Sequence, residues 1–300
     1  MNIRLIGLGR MGSNFALNCR DHHHQVIGYD ANEEARNRLK AQGFQVVRSL
    51  SELTRREPDE RLVIWLLVPN QLVDAVLEQL VPLLAKHDIV IDGGNSNFNL
   101  SIKHYQYLKS KGIDYIDLGT SGGIHGARHG ACLMAGGERD VVAYVEPVFR
   151  DVAIENGYAY VGRPGSGHFV KMVHNGIEYG MMQAIAEGFD LLQASPFELD
   201  HKAISKMWNH GSIIESALLG FTHDAFAKDA TLSSIAGRID DSGEGMWMIE
   251  EALKYKVSVP VITQALFARY KSRDDERFGE KVVAAMRAEF GGHAVYKKKT

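Results

Sequence analysis

The chain has 300 residues, which is enough for about two domains. Its 34 basic and 37 acidic residues leave a formal net charge of −3, which argues against a broad nucleic-acid-binding surface. The two cysteines, Cys19 and Cys132, are too few for a disulfide framework and show no metal-ligand spacing. We therefore expect a reducing, cytoplasmic environment, and no membrane association, because the longest apolar runs are too short to span a bilayer.

The first half of the chain alternates short apolar runs with amphipathic stretches. The predicted strands are residues 3–6, 25–29, 62–67, 89–92, 114–118 and 132–135, and clear helical patterns cover residues 32–41 and 71–84. Apolar strands separated by helices are typical of a parallel sheet that is covered on both faces. The sequence therefore predicts a Rossmann-type, doubly wound α/β domain.

A glycine motif of the form G-x-G-x-x-G follows the first predicted strand and opens a helical pattern. It consists of Gly7, Leu8, Gly9, Arg10, Met11 and Gly12. The glycines allow a tight turn and close backbone approach, and the helix N-terminus offers N–H groups to a pyrophosphate. In this context the motif predicts a dinucleotide site, although a tight turn without a ligand is the alternative.

An acidic residue, Asp30, ends the second predicted strand about 20 residues after the glycines. A carboxylate at this position accepts hydrogen bonds from the adenosine ribose and repels a 2′-phosphate. The adjoining residues Ala31 and Asn32 bring no arginine that could neutralise such a phosphate. The sequence therefore favours NAD over NADP, and the alternative role for Asp30 is to cap the next helix.

Two further glycine clusters stand at the ends of predicted strands, at residues 92–96 and 119–123. Ligands of open parallel sheets bind beyond the carboxyl ends of the strands. Small residues there would let a ligand approach the backbone, while Asn95 and Ser121 would supply polar contacts. Plain turns are the alternative interpretation.

The pattern changes at residues 162–167, where glycines and a proline interrupt it. Long helical patterns follow, beginning with a single helix from about residue 167 to 192, and strand signals end. We therefore expect a dinucleotide-binding domain at residues 1–162 and an all-helical substrate and oligomerisation domain at residues 163–300. The lysines at 297–299 are expected to form a frayed tail.

The long predicted helix carries a polar stripe on an otherwise apolar sequence. Its members are Lys171, His174, Asn175 and Glu178. Because their spacing is i, i+3, i+4 and i+7, they share one helix face. Lysine and glutamate two turns apart could act at different steps on a short sugar-acid chain, whereas an exposed charge cluster is the structural alternative.

Four motifs together resemble decarboxylating 6-phosphogluconate dehydrogenase: GLGRMG, IDGGNSNF, GTSGG and GSGHFVKMVHNGIEYG. The resemblance extends from the first strand to His293. In its short length and in Asp30, the chain resembles the short, NAD-preferring branch of the family. The resemblance implies oxidation of 6-phosphogluconate at C3 and decarboxylation to ribulose 5-phosphate, a step of the pentose phosphate pathway and of gluconate utilization.

The resemblance also implies roles for individual residues. Lys171 would be the general base, and Glu178 would be the acid that protonates C1. Asn95 would bind the cofactor, as would Val68 and Pro69, although their loop replaces the lysine-containing loop of the long enzymes, a departure expected to alter the contacts on the nicotinamide side. The residues implied in substrate binding are Asn95, Ser121, Gly122, Gly123, His174, Asn175, Tyr179, Arg269 and His293. No metal is expected, because a positioned cation such as protonated lysine can polarise the keto oxygen and the sequence has no metal-ligand pattern.

Two further departures from the family pattern concern the expected phosphate site. Ser242 and Glu244 stand where the family has a phosphate-binding lysine and threonine. We expect Arg269, which matches a phosphate-binding arginine, to hold the phosphate while Glu244 orients its guanidinium. His293 would add a second donor, from a neighbouring subunit if the protein is a dimer or tetramer as the resemblance implies.

Two alternatives remain. A simple β-hydroxyacid dehydrogenase, of the 3-hydroxyisobutyrate type, or a related sugar-acid dehydrogenase would share the fold, the lysine and the asparagine. A protein that only senses NAD would keep the fold without catalysis. Measuring NADH and CO2 together separates these alternatives from the decarboxylating enzyme. Equal yields indicate the decarboxylating enzyme, NADH alone indicates a simple dehydrogenase, and neither product indicates a sensor.

Overall fold

The computed structural model describes residues 1–296, so the lysines at 297–299 lie outside the described residues. The chain divides into two compact units, with the division between Asn175 and Gly176. This division falls inside the long helix, whereas the expected domain boundary at residues 162 and 163 precedes it. The domain boundary stays a prediction.

The amino-terminal unit contains one mostly parallel sheet. Its described strands are β1 Asn2–Ile6, β2 Gln25–Tyr29, β3 Gln45–Val46, β4 Val63–Leu66, β5 Ile89–Asp92, β6 Asp114–Ser121, β7 Ala131–Gly137 and β8 Ala153–Gly162. They lie in the order β3-β2-β1-β4-β5-β6-β7-β8. The Rossmann-type prediction is confirmed, and each of the six predicted strands is present, with β6 and β7 longer than expected.

Among the strands of residues 1–296, the one antiparallel pair is β6 with β7. Residues 122–130 connect them, and a parallel crossover needs a dozen or more residues, so the short connection reverses the chain. The strands β3 and β8 were not predicted. β3 has only two residues, and β8 contains Asn156 and Gly157, residue types that are typical of a turn, where its pairing with β7 is irregular.

Helices cover both faces of the sheet. Those of the amino-terminal unit are α1 Arg10–Asp21, α2 Glu33–Ala41, α3 Leu50–Leu53, α4 Asn70–Leu80, α5 Phe98–Ser110, α6 Gly123–His129 and α7 Arg139–Val152. On one face Trp65 of β4 packs between Phe15 and Phe149, with ring centroids 4.3 and 5.5 Å away. On the other face, Leu66 of β4 and Leu77 of α4 belong to a second apolar cluster.

The described remainder of the chain, up to residue 296, has helices as its regular elements, as predicted. The long helix is α8 Ser166–Ala194, and those after it are α9 His201–Trp208, α10 Ala217–Lys228, α11 Glu244–Tyr255, α12 Pro260–Ser272 and α13 Phe278–Gly291. Phe189, Leu219 and Phe226 form one buried cluster of the carboxyl-terminal unit. Throughout residues 1–296, no helix combines the length and the apolar character needed to cross a bilayer.

A buried carboxylate joins the start of α8 to the sheet. Asp117 lies in the middle of β6 and is fully buried. Its Oδ1 accepts a hydrogen bond from the backbone N–H of Gly165 at 2.6 Å, and its Oδ2 accepts one from His168 at 2.9 Å. These are N–H groups at the helix start, which have no partner within a helix. Burial raises the pKa of Asp117 above the ordinary value of 3.8.

Substituting Asp117→Ala would leave both N–H groups without their acceptor in a buried position. We expect the free energy of unfolding to fall by about 3 kcal/mol, measured by urea denaturation, while Asp140→Ala on the exposed start of α7 changes it by less than about 0.5 kcal/mol.

Because the folded state binds the Asp117 proton more tightly, this residue's titration contributes stability below pH 3.8 that is lost as the pH rises through its folded pKa. The free energy of unfolding of wild type, relative to that of Asp117→Asn, should therefore fall as the pH rises from 3.8. A difference that instead grows with pH would contradict the raised pKa of Asp117.

Candidate active site

The glycine loop between β1 and α1 has the geometry of a dinucleotide cradle. Gly7 has a φ of +98°, and a Cβ there would lie 2.3 Å from the carbonyl oxygen of Leu67. A Cβ on Gly12 would lie 1.9 Å from the carbonyl oxygen of Gly7. Gly9, which caps α1, has no heavy atom within 4 Å of its Cβ position, so the backbone is open to a ligand where the helix begins. The loop therefore fits a pyrophosphate.

Asp30 follows β2 and faces this loop. Its Oδ2 accepts a hydrogen bond from the backbone N–H of Leu8 at 2.7 Å, and its Oδ1 accepts one from Asn32 at 2.8 Å. The side chain of Asn32, not that of Asp30, caps α2 by accepting hydrogen bonds from Glu34 and Ala35. The capping alternative for Asp30 is therefore wrong, and its carboxylate is aimed at the glycine loop, as a ribose-binding residue requires.

An arginine does reach this turn, contrary to the expectation from the neighbouring residues alone. Arg36 of α2 folds back, and its Nη1 donates hydrogen bonds to the carbonyl oxygens of Asp30 at 2.7 Å and Ala31 at 3.0 Å. Residues 31 and 32 carry no sign of this contact, because a helical side chain points back toward the N-terminus of its own helix and Arg36 therefore reaches the turn from further along the chain.

The loops after β4 and β5 meet at the same end of the sheet. A Cβ on Gly94 would lie 2.9 Å from the carbonyl oxygen of Val68. The Oδ1 of the buried Asp92 accepts a hydrogen bond from the Gly94 N–H at 3.1 Å, which fixes the second loop. Pro69 and Asn95, on these two loops, are exposed. The predicted cofactor-binding residues Val68, Pro69 and Asn95 therefore lie on adjoining loops.

The first part of the polar stripe forms a hydrogen-bonded cluster with the end of β6. The Nζ of Lys171 lies 3.4 Å from the Nδ1 of His174, and this Nδ1 lies 3.0 Å from the Oδ1 of Asn175. The His174 Nε2 lies 3.2 Å from the Oγ of Ser121. Lys171 and Asn175 are buried, with exposed fractions of 9% and 8%. A solvated charge cluster is therefore wrong for these residues, because a solvated face would expose them.

Glycines at the end of β6 make this cluster possible. A Cβ on Gly119 would lie 2.6 Å from the Cβ of Lys171 and 2.8 Å from the carbonyl oxygen of Gly167, so only glycine lets α8 come this close. Gly122 and Gly123 have φ values of +112° and +59°, in the region that favours glycine. Gly123 has open space around its Cβ position, which leaves its backbone accessible.

The carboxyl-terminal unit holds the remaining predicted residues. Glu178 and Tyr179 belong to α8, and the Arg269 guanidinium lies over the Tyr179 ring at 3.6 Å from its centroid. Burial and the nearby carboxylate of Glu244 raise the pKa of Tyr179. His293 follows α13, and its backbone N–H donates to the carbonyl oxygen of Arg287 at 3.4 Å.

The expected orientation of Arg269 by Glu244 is wrong in this structure. The Nη1 of Arg269 donates to the carbonyl oxygen of Asp240 at 2.9 Å, and its Nη2 lies 3.6 Å from the sulfur of Met182. Glu244 is 2% exposed, and within residues 1–296 its Oε2 has no hydrogen-bond partner. The backbone carbonyl, and not the carboxylate, therefore sets the direction of the guanidinium.

Three buried polar residues near Lys171 were not identified from the sequence. Asp117 anchors the start of α8, and the Oγ of Ser101 lies 2.6 Å from the Nδ1 of His168. His168 precedes Lys171 by one helical turn and is 1% exposed. The available signal was an acidic residue in the middle of an apolar strand, because such a charge is retained only where it has hydrogen-bond partners.

The fold, the glycine cradle and the aligned acidic residue define the class: an oxidoreductase with an NAD-binding Rossmann domain. Residues 2–162 match the family model for the NAD-binding domain of 6-phosphogluconate dehydrogenase, and residues 167–293 match the model for its C-terminal domain. The chain belongs to the 6-phosphogluconate dehydrogenase family.

Individual relatives agree with this assignment. The chain is 52% identical to YqeC of Bacillus subtilis, over 99% of this chain and 100% of that protein. It is 39% identical to the NAD(+)-dependent, decarboxylating 6-phosphogluconate dehydrogenase of Haloferax volcanii, over 99% of each chain. A solved structure of Plasmodium falciparum 6-phosphogluconate dehydrogenase superposes with a TM-score of 0.83 at 27% identity, and the match covers 99% of this chain and 66% of that one.

Substituting Gly119→Ala would push α8 away from β6, because the new Cβ would overlap the side chain of Lys171. We expect kcat to fall by about 10²-fold, since small displacements of a reacting group have effects of this size, while the dissociation constant for NAD changes little. Steady-state kinetics and calorimetric titration with NAD measure the two quantities. Gly188→Ala, at a helical glycine with open space, is the control. Unchanged kcat in Gly119→Ala would show that the close contact has no part in placing Lys171.

Proposed function

We propose that this protein oxidises 6-phosphogluconate at C3 with NAD and decarboxylates the product to ribulose 5-phosphate and CO2. The observation that carries the proposal is the hydrogen-bonded cluster of Lys171, His174 and Ser121, in which Lys171 is buried and the other two are partly buried. At the end of β6, this cluster provides a candidate base and two hydrogen-bonding partners for a hydroxyl group of the substrate. The family membership supports the substrate class.

In the first step, Lys171 removes the proton of the C3 hydroxyl. The glycine loop and Asp30 would hold NAD, which would supply the acceptor for the hydride that leaves C3. Ser121, His174 and Asn175 hold the hydroxyl groups of the substrate, and their hydrogen bonds to one another fix their directions before the substrate arrives. A base that is held in place in this way contributes to catalysis through orientation as well as through proton transfer.

The imidazole of His174 can change tautomer when Lys171 changes its protonation state. A single Nδ1 atom lies within reach of both the Lys171 Nζ and the Asn175 Oδ1. When Nδ1 carries the hydrogen, it donates to Asn175 and faces a neutral amine. When Nδ1 is bare, it accepts from the lysine ammonium. The exchange of tautomers therefore accommodates Lys171 before and after it takes the proton.

In the second step, the protonated Lys171 donates to the C3 keto oxygen. This hydrogen bond withdraws electrons from the carbonyl and stabilises the enediol as CO2 leaves. Glu178 then protonates C1 of the enediol. The two residues share α8, so each works from a rigid element rather than from a loop.

We further propose a preference for NAD over NADP. The carboxylate of Asp30 faces the glycine loop and accepts the Leu8 N–H. In this position a carboxylate hydrogen-bonds the ribose hydroxyls and repels a 2′-phosphate. The named NAD(+) dependence of the Haloferax volcanii relative supports the same preference.

For the phosphate end of the substrate, we propose the Arg269 guanidinium beside Tyr179 as the main cationic contact, with His293 adding a donor. The aromatic ring and the Asp240 carbonyl hold Arg269 in place. Ser242 and Glu244 leave this region without the lysine and threonine of the family pattern. Arg269 therefore carries more of the phosphate recognition here than it would beside a second cation.

We also propose a cytoplasmic homo-oligomer, a dimer or a tetramer. The two cysteines are free thiols, and Cys132 is exposed, which suits a reducing compartment. The carboxyl-terminal unit exposes large apolar side chains, including Leu191, Phe221 and Val261, that a second copy of the chain could cover.

The test of the proposed reaction is to measure NADH and CO2 together from 6-phosphogluconate and NAD. We expect equal yields, whereas NADH alone would support a simple β-hydroxyacid dehydrogenase and the absence of both products would support a sensor.

In Lys171→Met, burst-phase NADH formation should be lost while NAD still binds. In Glu178→Gln, oxidation should persist and turnover should slow by about 10²–10⁴-fold. Near-wild-type NADH formation in Lys171→Met would remove Lys171 from the base role.

The phosphate contact is tested by Arg269→Ala. We expect kcat/KM for 6-phosphogluconate to fall about tenfold or more relative to that for gluconate, because only the phosphorylated substrate loses a charge-assisted pair. Arg273→Ala, whose guanidinium pairs with Asp241, is the matched control. Equal losses for both substrates would make Arg269 structural, and a wild type that prefers gluconate would contradict the phosphate assignment.

A further inference from the structure

The turn after β2 carries a cation as well as the carboxylate that favours NAD. Arg36 stands in the first turns of α2, and its Nη1 donates to the backbone carbonyls of Asp30 and Ala31. Two hydrogen bonds from one nitrogen hold the guanidinium at this turn. The positive charge therefore lies beside the residue that is expected to meet the adenosine ribose.

The Arg36 guanidinium has donors left for a ligand. An arginine has five N–H donors in a planar fork, and the two bonds to Asp30 and Ala31 both come from Nη1. Within residues 1–296, Arg36 forms no ion pair with a carboxylate, and its side chain is half-buried. Arg38, on the same helix, is instead paired with Glu34 at 3.9 Å.

The carboxylate of Asp30 is already engaged by the backbone. Each of its oxygens accepts one N–H, from Leu8 and from Asn32. These bonds hold the carboxylate toward the glycine loop, while Arg36 reaches the same turn from α2 through Nη1. An arginine near the end of the second strand is the group that accommodates the 2′-phosphate of NADP.

We propose that Arg36 is a specificity-determining residue that binds the 2′-phosphate of NADP through its free Nη2 and Nε edge. The protein then binds both dinucleotides, and its preference is the balance between repulsion from Asp30 and attraction to Arg36. The planar fork suits this role, because it can meet two phosphate oxygens at once while Nη1 stays on the backbone. The inference rests on the dinucleotide site and is independent of the proposed sugar-acid reaction.

The test compares two ligands that differ only in the 2′-phosphate: 5′-AMP and 2′,5′-ADP. Their dissociation constants are measured by calorimetric titration of the full chain, without substrate. We expect wild type to bind both. In Arg36→Gln the affinity for 2′,5′-ADP should fall about tenfold, because one charge-assisted pair is lost, while that for 5′-AMP changes less than about twofold. Arg36→Lys keeps the charge without the fork and should lie between them.

The controls separate a phosphate contact from a structural role. Arg38→Gln removes the same charge from the same helix and should change neither affinity. Raising the salt concentration should weaken 2′,5′-ADP binding more in wild type than in Arg36→Gln. Equal losses for both ligands in Arg36→Gln would mean that Arg36 only supports the turn and would overturn the proposal. So would a wild type that binds 5′-AMP but not 2′,5′-ADP, or one that binds neither.

These titrations, together with the NADH and CO2 assay, distinguish this inference from the proposed reaction. If 2′,5′-ADP binding depends on Arg36 but 6-phosphogluconate is not turned over, the reaction proposal fails and the assignment of Arg36 stands. If the enzyme forms NADH and CO2 but Arg36→Gln lowers the affinities for 5′-AMP and 2′,5′-ADP equally, the reaction proposal stands and the assignment of Arg36 fails.

Discussion

The site depends on one buried carboxylate. Asp117 sits in the middle of β6, where the surrounding strand residues are apolar, and both of its oxygens accept N–H groups from the start of α8. A buried carboxylate is costly unless it is hydrogen-bonded, so its burial and the position of α8 support each other. The helix that carries Lys171 and His174 is thereby tied to the strand that carries Ser121. This connection brings together the two elements on which the proposed chemistry relies.

Close backbone approach is the second constraint, and glycine supplies it at two places. Gly119 lets α8 come so near β6 that any side chain would overlap Lys171. Gly7 and Gly12 do the same for the loop that faces the dinucleotide, where added Cβ atoms would overlap backbone carbonyls. In both places the missing side chain makes room for a functional group. These glycines are therefore as much part of the site as the polar residues.

The local chemistry of the sequence predicted much of the fold. The apolar strands, the glycine motif and the long helix each depend on neighbours in sequence, and all were present. The strand β8 was missed because Asn156 and Gly157 favour a turn, and only pairing with β7 makes the segment a strand. The antiparallel direction of β7 follows from the length of one connection, which the strand pattern did not reveal.

The candidate site shows the same division. The spacing of Lys171, His174 and Asn175 was sufficient to place them on one helix face, because helix periodicity is local. The sequence by itself also determined the family, through motifs whose residues are close together in the chain. Only the tertiary structure decided that Asp117 caps α8, that Arg36 reaches the Asp30 turn and that Arg269 is oriented by Asp240 rather than by Glu244. The physical reason is that hydrogen bonds to backbone groups depend on where two segments meet in space, and a backbone carbonyl or N–H leaves no mark in the residue types of either segment.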